Sequence, residues 1–357
     1  MPTHFEAELF DDNLLMFAQA LRDIENAQKY IYLELYRFNN DAVGVKFRNA
    51  LARKAKEGVE VKILVDSWGT SASPTFFADT IKNGAELRYF KKLKFFIDFF
   101  TKNHRRNHRK ILVIDNDIVY VGSSNYTSYS LAWRELVLRL QHRTAAIQFK
   151  KIFLSSFAIF NQYNFKRLAF KKKIKFGGFE IIQDIPSIYR QQIKKRYEKM
   201  IQKAKESVWI ETPYFLPGFK LRKEMMDAVQ RGVNVNVIMP KHSDVRLVDL
   251  LRSRYLGLLC KNGVKIHYYV TNNLHAKGML IDDKHFSIGS ANFDYRSFRY
   301  QYELTLIGDD PTIIGLMKKH ISNTLMSCEP FDYHKWNERP RMEKVFEWLL
   351  LPFRHFL

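Results

Sequence analysis

One spaced pattern occurs twice in the chain. It reads His-x-Lys-x4-Asp-x6-Gly-Ser-x-Asn, first as His108, Lys110, Asp115, Gly122, Ser123 and Asn125, then as His275, Lys277, Asp282, Gly289, Ser290 and Asn292. A repeat of this kind constrains the fold more than composition does, because the chain must build the same local scaffold twice. The context repeats with it. In the first half AQKYIYLELYRF leads through a helical stretch to AKEGVEVKILVD, NGAELRYF and the first copy. In the second half AKESVWIETPYFLP leads to QRGVNVNVIMP, KNGVKIHYY and the second copy. Each half therefore reads as a strand (Tyr30 to Tyr36; Val208 to Tyr214), a helix, a β-branched strand (Val59 to Val65; Val233 to Ile238), another helix and a short strand. The expected class is α/β, with two similar halves that are each a mixed sheet flanked by helices on both faces. A pseudo-twofold would place the site at their interface. Expected domains are 1–170, 171–330 and a tail over 331–357, with the join in the basic, aromatic stretch Asn164 to Gly178.

The excess of 58 Lys and Arg over 37 Asp and Glu calls for an anionic partner, which charge alone does not identify as nucleic acid, membrane surface or phosphate ester. Only Cys260 and Cys328 are present, in no metal or redox spacing, so both read as structural thiols in a reducing compartment. No apolar run reaches bilayer-spanning length and Met1 to Asp12 lacks the pattern of a signal peptide. The expected location is cytosolic or peripheral to a membrane.

The runs Arg109 to Asp115 and Ile118 to Gly122 flank Asn116-Asp117, which suits a two-residue hairpin turn. That turn would set Asp115 opposite Ile118, Lys110 across from Ser123 and His108 across from Asn125, so that the four polar side chains share a face. The same count with Asp283-Lys284 pairs Lys277 with Ser290 and His275 with Asn292. By this parity Asp115 and Asp282 point away and support the scaffold. Lys, Asn and Ser donors aimed at a phosphodiester's oxygens would stabilise the charge that grows as a nucleophile adds, with no metal or other cofactor required. A neutral imidazole can be that nucleophile, and a protonated one across the cleft can protonate the leaving oxygen. Glu135 and Glu303 follow the two histidines by 27 and 28 residues, and are expected to fix imidazole tautomers through Nδ1. The remaining histidines match no ligand spacing and read as surface or packed side chains.

The doubled motif resembles the phospholipase D superfamily from about Tyr30 to Gly308. NHRKILVID, ETPYFLP, LHAKGMLIDD and GSANFDYRSF are most similar to bacterial cardiolipin synthases. The resemblance implies a phosphatidyl-histidine intermediate and carries over His108, Lys110, Asp115, His275, Lys277 and Asp282 as active-site residues, with His108 the nucleophile and His275 the acid and base. It implies an anionic phospholipid substrate, phosphatidylglycerol as donor and acceptor, and a place on the cytoplasmic side of the cytoplasmic membrane. Lipid hydrolysis is the alternative outcome, and a nuclease is a more distant one.

Two features favour a lipid over nucleic acid. KFFIDFF, with bases on either side, adjoins the first copy of the motif. MEKVFEWLLLPFRHFL, read as a helix, puts Met342, Val345, Phe346, Leu349, Phe353 and Phe356 on one face, with Lys344, Glu347 and Arg354 opposite, a pattern suited to a membrane interface. Pro352 would kink its end.

Overall fold

The computed structural model describes residues 5–90, 105–160 and 173–350, apart from the Phe346 side chain. KFFIDFF, the expected join near residue 170 and the last seven residues lie outside them. The fold is α/β, built of two mixed sheets. In the first the strand order is Glu6–Asp12, Arg134–Gln141, Ile118–Gly122, Ile111–Ile114, Tyr30–Leu35, Glu60–Asp66 and Glu86–Phe90. In the second it is Cys328–Pro330, Lys265–Tyr269, Asn234–Pro240, Ser207–Glu211, Gly278–Ile281, His285–Gly289, Gln301–Gly308, Phe179–Asp184 and Lys173–Phe176.

Tyr30–Leu35 lies mid-sheet and is buried at every residue, which is why it reads as a continuous apolar run interrupted only by Glu34. The helices Asn13–Glu25 and Ala42–Lys56 start on the N-capping carboxylates of Asp12 and Asp41 and cover one face of the first sheet. Gln192–Lys203, Phe219–Gln230 and Arg246–Lys261 cover the outer face of the second. Between the sheets, Arg143–Ala158 and Pro311–Leu325 share one core in which Leu136 and Phe153 meet Leu280 and Leu306.

The halves are also stitched by main chain. Arg106–Asn107, just ahead of His108, pairs in parallel with Gln301 and Tyr302 of the second half. Leu274, just ahead of His275, forms the reciprocal bridge to Arg134 of the first. Each histidine's backbone N–H then donates across the interface, His108 to the Tyr302 carbonyl at 3.0 Å and His275 to the Arg134 carbonyl at 2.7 Å.

The hairpins correct the expected register by one residue. Ile114 pairs with Ile118 and Ile281 with His285, so each turn has three residues, Asp115 to Asp117 and Asp282 to Lys284. Asp115, at φ 52°, and Asp282, at φ 53°, leave the strand in the left-handed region. Their carboxylates supply the reason. That of Asp115 accepts the backbone N–H groups of Gln28, Lys29 and Tyr30 at 2.7–3.0 Å, and that of Asp282 accepts those of Lys205, Glu206 and Ser207. Three charge-assisted bonds to the start of the neighbouring strand outweigh the cost of one left-handed aspartate.

The motif glycines answer to contact rather than to turn geometry. A Cβ on Gly122 would stand 2.2 Å from the Leu136 carbonyl oxygen, and one on Gly289 would stand 2.3 Å from that of Leu304. Only glycine lets these strand ends close on their neighbours.

The tail forms the helix Arg341–Leu350, which packs on Arg246–Lys261. Its polar side departs from expectation. Glu347 is buried in an ion pair with Arg339 at 2.8 Å, while Met342, Val345, Trp348 and Leu349 are exposed.

Candidate active site

The residues of both copies meet at the stitched interface, where His108, Lys110, Ser123, Asn125, Glu135, His275, Lys277, Ser290, Asn292 and Glu303 are all buried. The carboxylates cross between halves. His108 Nδ1 lies 3.0 Å from Glu303 Oε1, and His275 Nδ1 lies 2.9 and 3.0 Å from the two oxygens of Glu135. Ser123 Oγ donates to Glu135 and Ser290 Oγ donates to Glu303. The serines therefore orient carboxylates rather than facing the lysines across a hairpin, as the one-residue register shift requires. Lys110 Nζ and Lys277 Nζ each donate to the carbonyl of their own motif histidine at 2.7 Å. Asn125 Oδ1 accepts the Arg37 N–H at 3.2 Å, whereas the buried Asn292 Oδ1 has no protein partner among the described residues.

Asp115 and Asp282 stand apart from this cluster, at the far ends of the strands, holding the hairpins as described. Aromatic walls flank the imidazoles, with Tyr36 5.0 Å from His108 and Trp133 5.4 Å from His275 between ring centroids.

The two dyads differ electrostatically. Burial lowers His108 well below the ordinary histidine value, and Lys110, Lys277, His275 and Arg296 push it the same way. Burial also lowers His275, but there the Glu135 carboxylate opposes it. Glu135 itself is held below its usual range, since His275, Lys277 and Ser123 outweigh its burial. Glu303 moves the other way, pushed up to about 8 by burial with the nearby Asp294 adding to it.

Tautomer follows from acceptor chemistry. His108 Nδ1 also lies 3.1 Å from the Ser290 carbonyl oxygen, which can only accept, so Nδ1 carries hydrogen and a neutral ring keeps its lone pair on Nε2. At His275 an ionised carboxylate faces Nδ1, the arrangement that supports an imidazolium. The lysines complete the cation set. Burial draws Lys277 down to about 8 and Lys110 well below its ordinary value, with Lys277 adding to the latter. An anion bound between two such ammoniums would restore their charge.

Several contributors were not legible as site residues. Tyr36 and Arg37 lie on the segment that corresponds to Pro213 and Tyr214 in the repeat, which was the available signal. Arg296, on the helix that Asp294 caps by accepting the Ser297 N–H, adds its positive charge at His108. His320, packed as expected, is also paired with carboxylates. Its Nε2 is 2.6 Å from Glu211 and its Nδ1 3.5 Å from Asp11, which also pairs with Arg134.

The family model described as "Cardiolipin synthase, PLD-like domain" matches residues 20–156 and 197–325. The chain is 35% identical over 312 residues to a cardiolipin synthase of Listeria welshimeri, covering 84% of this chain and 64% of that protein. It thus spans just under two thirds of that relative's length. It is 31% identical over 353 residues to the major cardiolipin synthase ClsA of Bacillus subtilis, covering 95% of this chain and 73% of that one. The crystal structure of phosphatidylserine synthase from Haemophilus influenzae superposes with a TM-score of 0.77 at 15% identity, covering 98% of this chain and 95% of that one. That of polyphosphate kinase from Porphyromonas gingivalis does so at 0.65 and 11% identity, over 98% of this chain and 53% of the other. At these identities the two structures speak for the fold alone.

Proposed function

Because the chain belongs to the cardiolipin synthase, phospholipase D-like domain family, we propose that it is a phosphatidyltransferase that makes cardiolipin from two molecules of phosphatidylglycerol. His108 Nε2 attacks the phosphorus of the first, the ester bond to the terminal glycerol breaks, and that glycerol leaves with a proton from His275. The glycerol hydroxyl of the second then gives its proton to His275 and attacks phosphorus, breaking the P–N bond and freeing His108. Lys110 and Lys277, with Asn125 and Asn292, hold the phosphate oxygens throughout. Asp115 and Asp282 act by holding the hairpins.

The observation that carries this reading is the pair of crossed dyads, in which Glu303 of the second half holds His108 by Nδ1 and Glu135 of the first half holds His275 by Nδ1, leaving each Nε2 for chemistry. Two-step displacement needs the imidazoles in opposite protonation states at the outset; burial lowers both, His108 the more strongly, while Glu135 opposes the fall at His275. Hydrolysis of lipid shares the first step and differs only in the acceptor. The terminal helix, with Met342, Val345, Trp348 and Leu349 exposed, supports a peripheral place on the membrane, which we assign to its cytoplasmic side. Nucleic acid is the disfavoured partner.

Purified protein incubated with labelled phosphatidylglycerol vesicles in chelator is expected to yield cardiolipin and glycerol. Phosphatidic acid as sole product would make it a hydrolase, and turnover that survived His108→Ala or His275→Ala would overturn the mechanism.

A further inference from the structure

The segments that lead away from the site leave one edge of the two sheets. Asp184 lies opposite Glu303, so the segment beyond it starts beside the carboxylate partner of His108. Phe215 bridges Phe293, next to Asn292, so the loop toward Phe219 starts beside the second motif. Asn234–Pro240 runs parallel to Ser207–Glu211 and its following loop leaves in the same direction, where Asp244 accepts from Tyr214 Oη at 2.6 Å. In the first half, Trp68 follows Asp66, whose carboxylate accepts the Asn107 N–H beside His108.

Large apolar side chains stand in solvent on these four segments. Trp68 is 54% exposed, Ile188 53%, Tyr189 82%, Phe219 71% and Leu247 37%. Isolated apolar side chains on a surface are ordinary, but these five share segments that all begin beside the cleft. Three of them have an exposed base as sequence neighbour, Arg190 after Tyr189, Lys220 after Phe219 and Arg246 before Leu247. The terminal helix adjoins the same edge, since Leu350 packs with Leu216 and Val248 and leaves Trp348 exposed.

An apolar tip with a base beside it matches an anionic lipid interface, where the tip enters the acyl boundary and the base stays with the phosphates. We propose that this edge is the membrane-docking surface, with Trp68, Ile188, Tyr189, Phe219 and Leu247 seated in an anionic phospholipid bilayer around the mouth of the cleft. Arg190, Lys220 and Arg246 then meet lipid phosphates, and a headgroup rises into the site while its acyl chains remain in the bilayer. The choice of a bilayer over a protein partner rests on the lipid-substrate reading of the cleft.

The test is the triple variant Tyr189→Glu, Phe219→Glu, Leu247→Glu, whose positions are solvent-exposed and outside the catalytic cluster. Cosedimentation with phosphatidylglycerol vesicles should weaken by about tenfold or more, while turnover of short-chain phosphatidylglycerol dispersed as monomers stays at the wild-type rate. Vesicle affinity within about twofold of wild type would overturn the proposal, against the scale expected for losing inserted apolar side chains. So would an equal loss of turnover on monomers. Sedimentation reads docking without chemistry, so loss of vesicle binding in the triple variant, with a wild type that makes no cardiolipin, supports the docking edge and counts against the transferase reading.

Discussion

Glu135 and Glu303 occupy equivalent places in the repeat yet hold their protons differently, and the cause is local. Burial raises Glu303, with Asp294 adding to it against the pull of Lys110, whereas the equally buried Glu135 lies against His275 with Lys277 near. A carboxyl that is already neutral loses less by becoming an amide than one whose charge supports an imidazolium. Glu135→Gln is therefore expected to lower kcat by about 10³- to 10⁴-fold, the scale seen when the carboxylate behind a catalytic histidine is neutralised, and Glu303→Gln by about tenfold. Steady-state rates of the two variants on the same vesicles check this, and equal losses would show that the dyads are electrostatically alike. Nothing in the residue pattern marks this inequality. That pattern spaces the glutamates alike because the strands are alike, and the asymmetry comes from neighbours such as Asp294, which stands where the first copy has Thr127.

At the scale of the element, the two hairpins show why the motif carries an aspartate that stays out of the cleft. Each ties its turn to the start of the adjacent antiparallel strand, fixing the height at which the motif histidine emerges at the other end. Asp115→Ala should cost ~1 to 3 kcal/mol, from the part-buried Tyr30 N–H and the exposed Gln28 and Lys29 N–H groups losing a charged acceptor, and should lower the midpoint of denaturant unfolding accordingly. Asp115→Asn, which tolerates the left-handed backbone and keeps an acceptor, should recover most of it. A melt unchanged by the alanine would remove the structural role. The alternation of apolar residues made both hairpins legible in sequence, and the parity argument already turned Asp115 and Asp282 away from substrate. The turn length was not legible, because Asn-Asp is a good two-residue turn in isolation and only the distant N–H groups of residues 28–30 recruit Asp115 into the loop.

At the scale of the whole molecule, the halves are held in register by the reciprocal strand stitches and by a buried ionic tie. His320 of the second half lies between Glu211 and Asp11, while Arg134 of the first donates to Thr324 Oγ1 and to the His320 carbonyl. The carboxylates hold His320 up to about 9 against its burial. A histidine whose folded value exceeds the unfolded one stabilises the fold fully below the unfolded value, near 6.5, and the gain is lost as pH rises through about 9. Glu303, raised to about 8, contributes with the same sign. Lys277 and Lys110, lowered by burial, act with the opposite sign toward higher pH, so the readout is the difference: the wild-type melting temperature should fall relative to that of His320→Gln between about pH 6.5 and 9. A slope identical in the variant would show that the tie carries no charge. The sequence by itself determined that two like α/β units exist and which polar residues each would offer, because repetition, apolar periodicity and motif spacing are local properties of the chain. Only the tertiary structure decided that each unit's glutamate serves the other unit's histidine, that the two imidazoles live in unlike fields and that His320 joins the halves, because those contacts link residues 109 to 309 positions apart and depend on how one sheet is laid against the other.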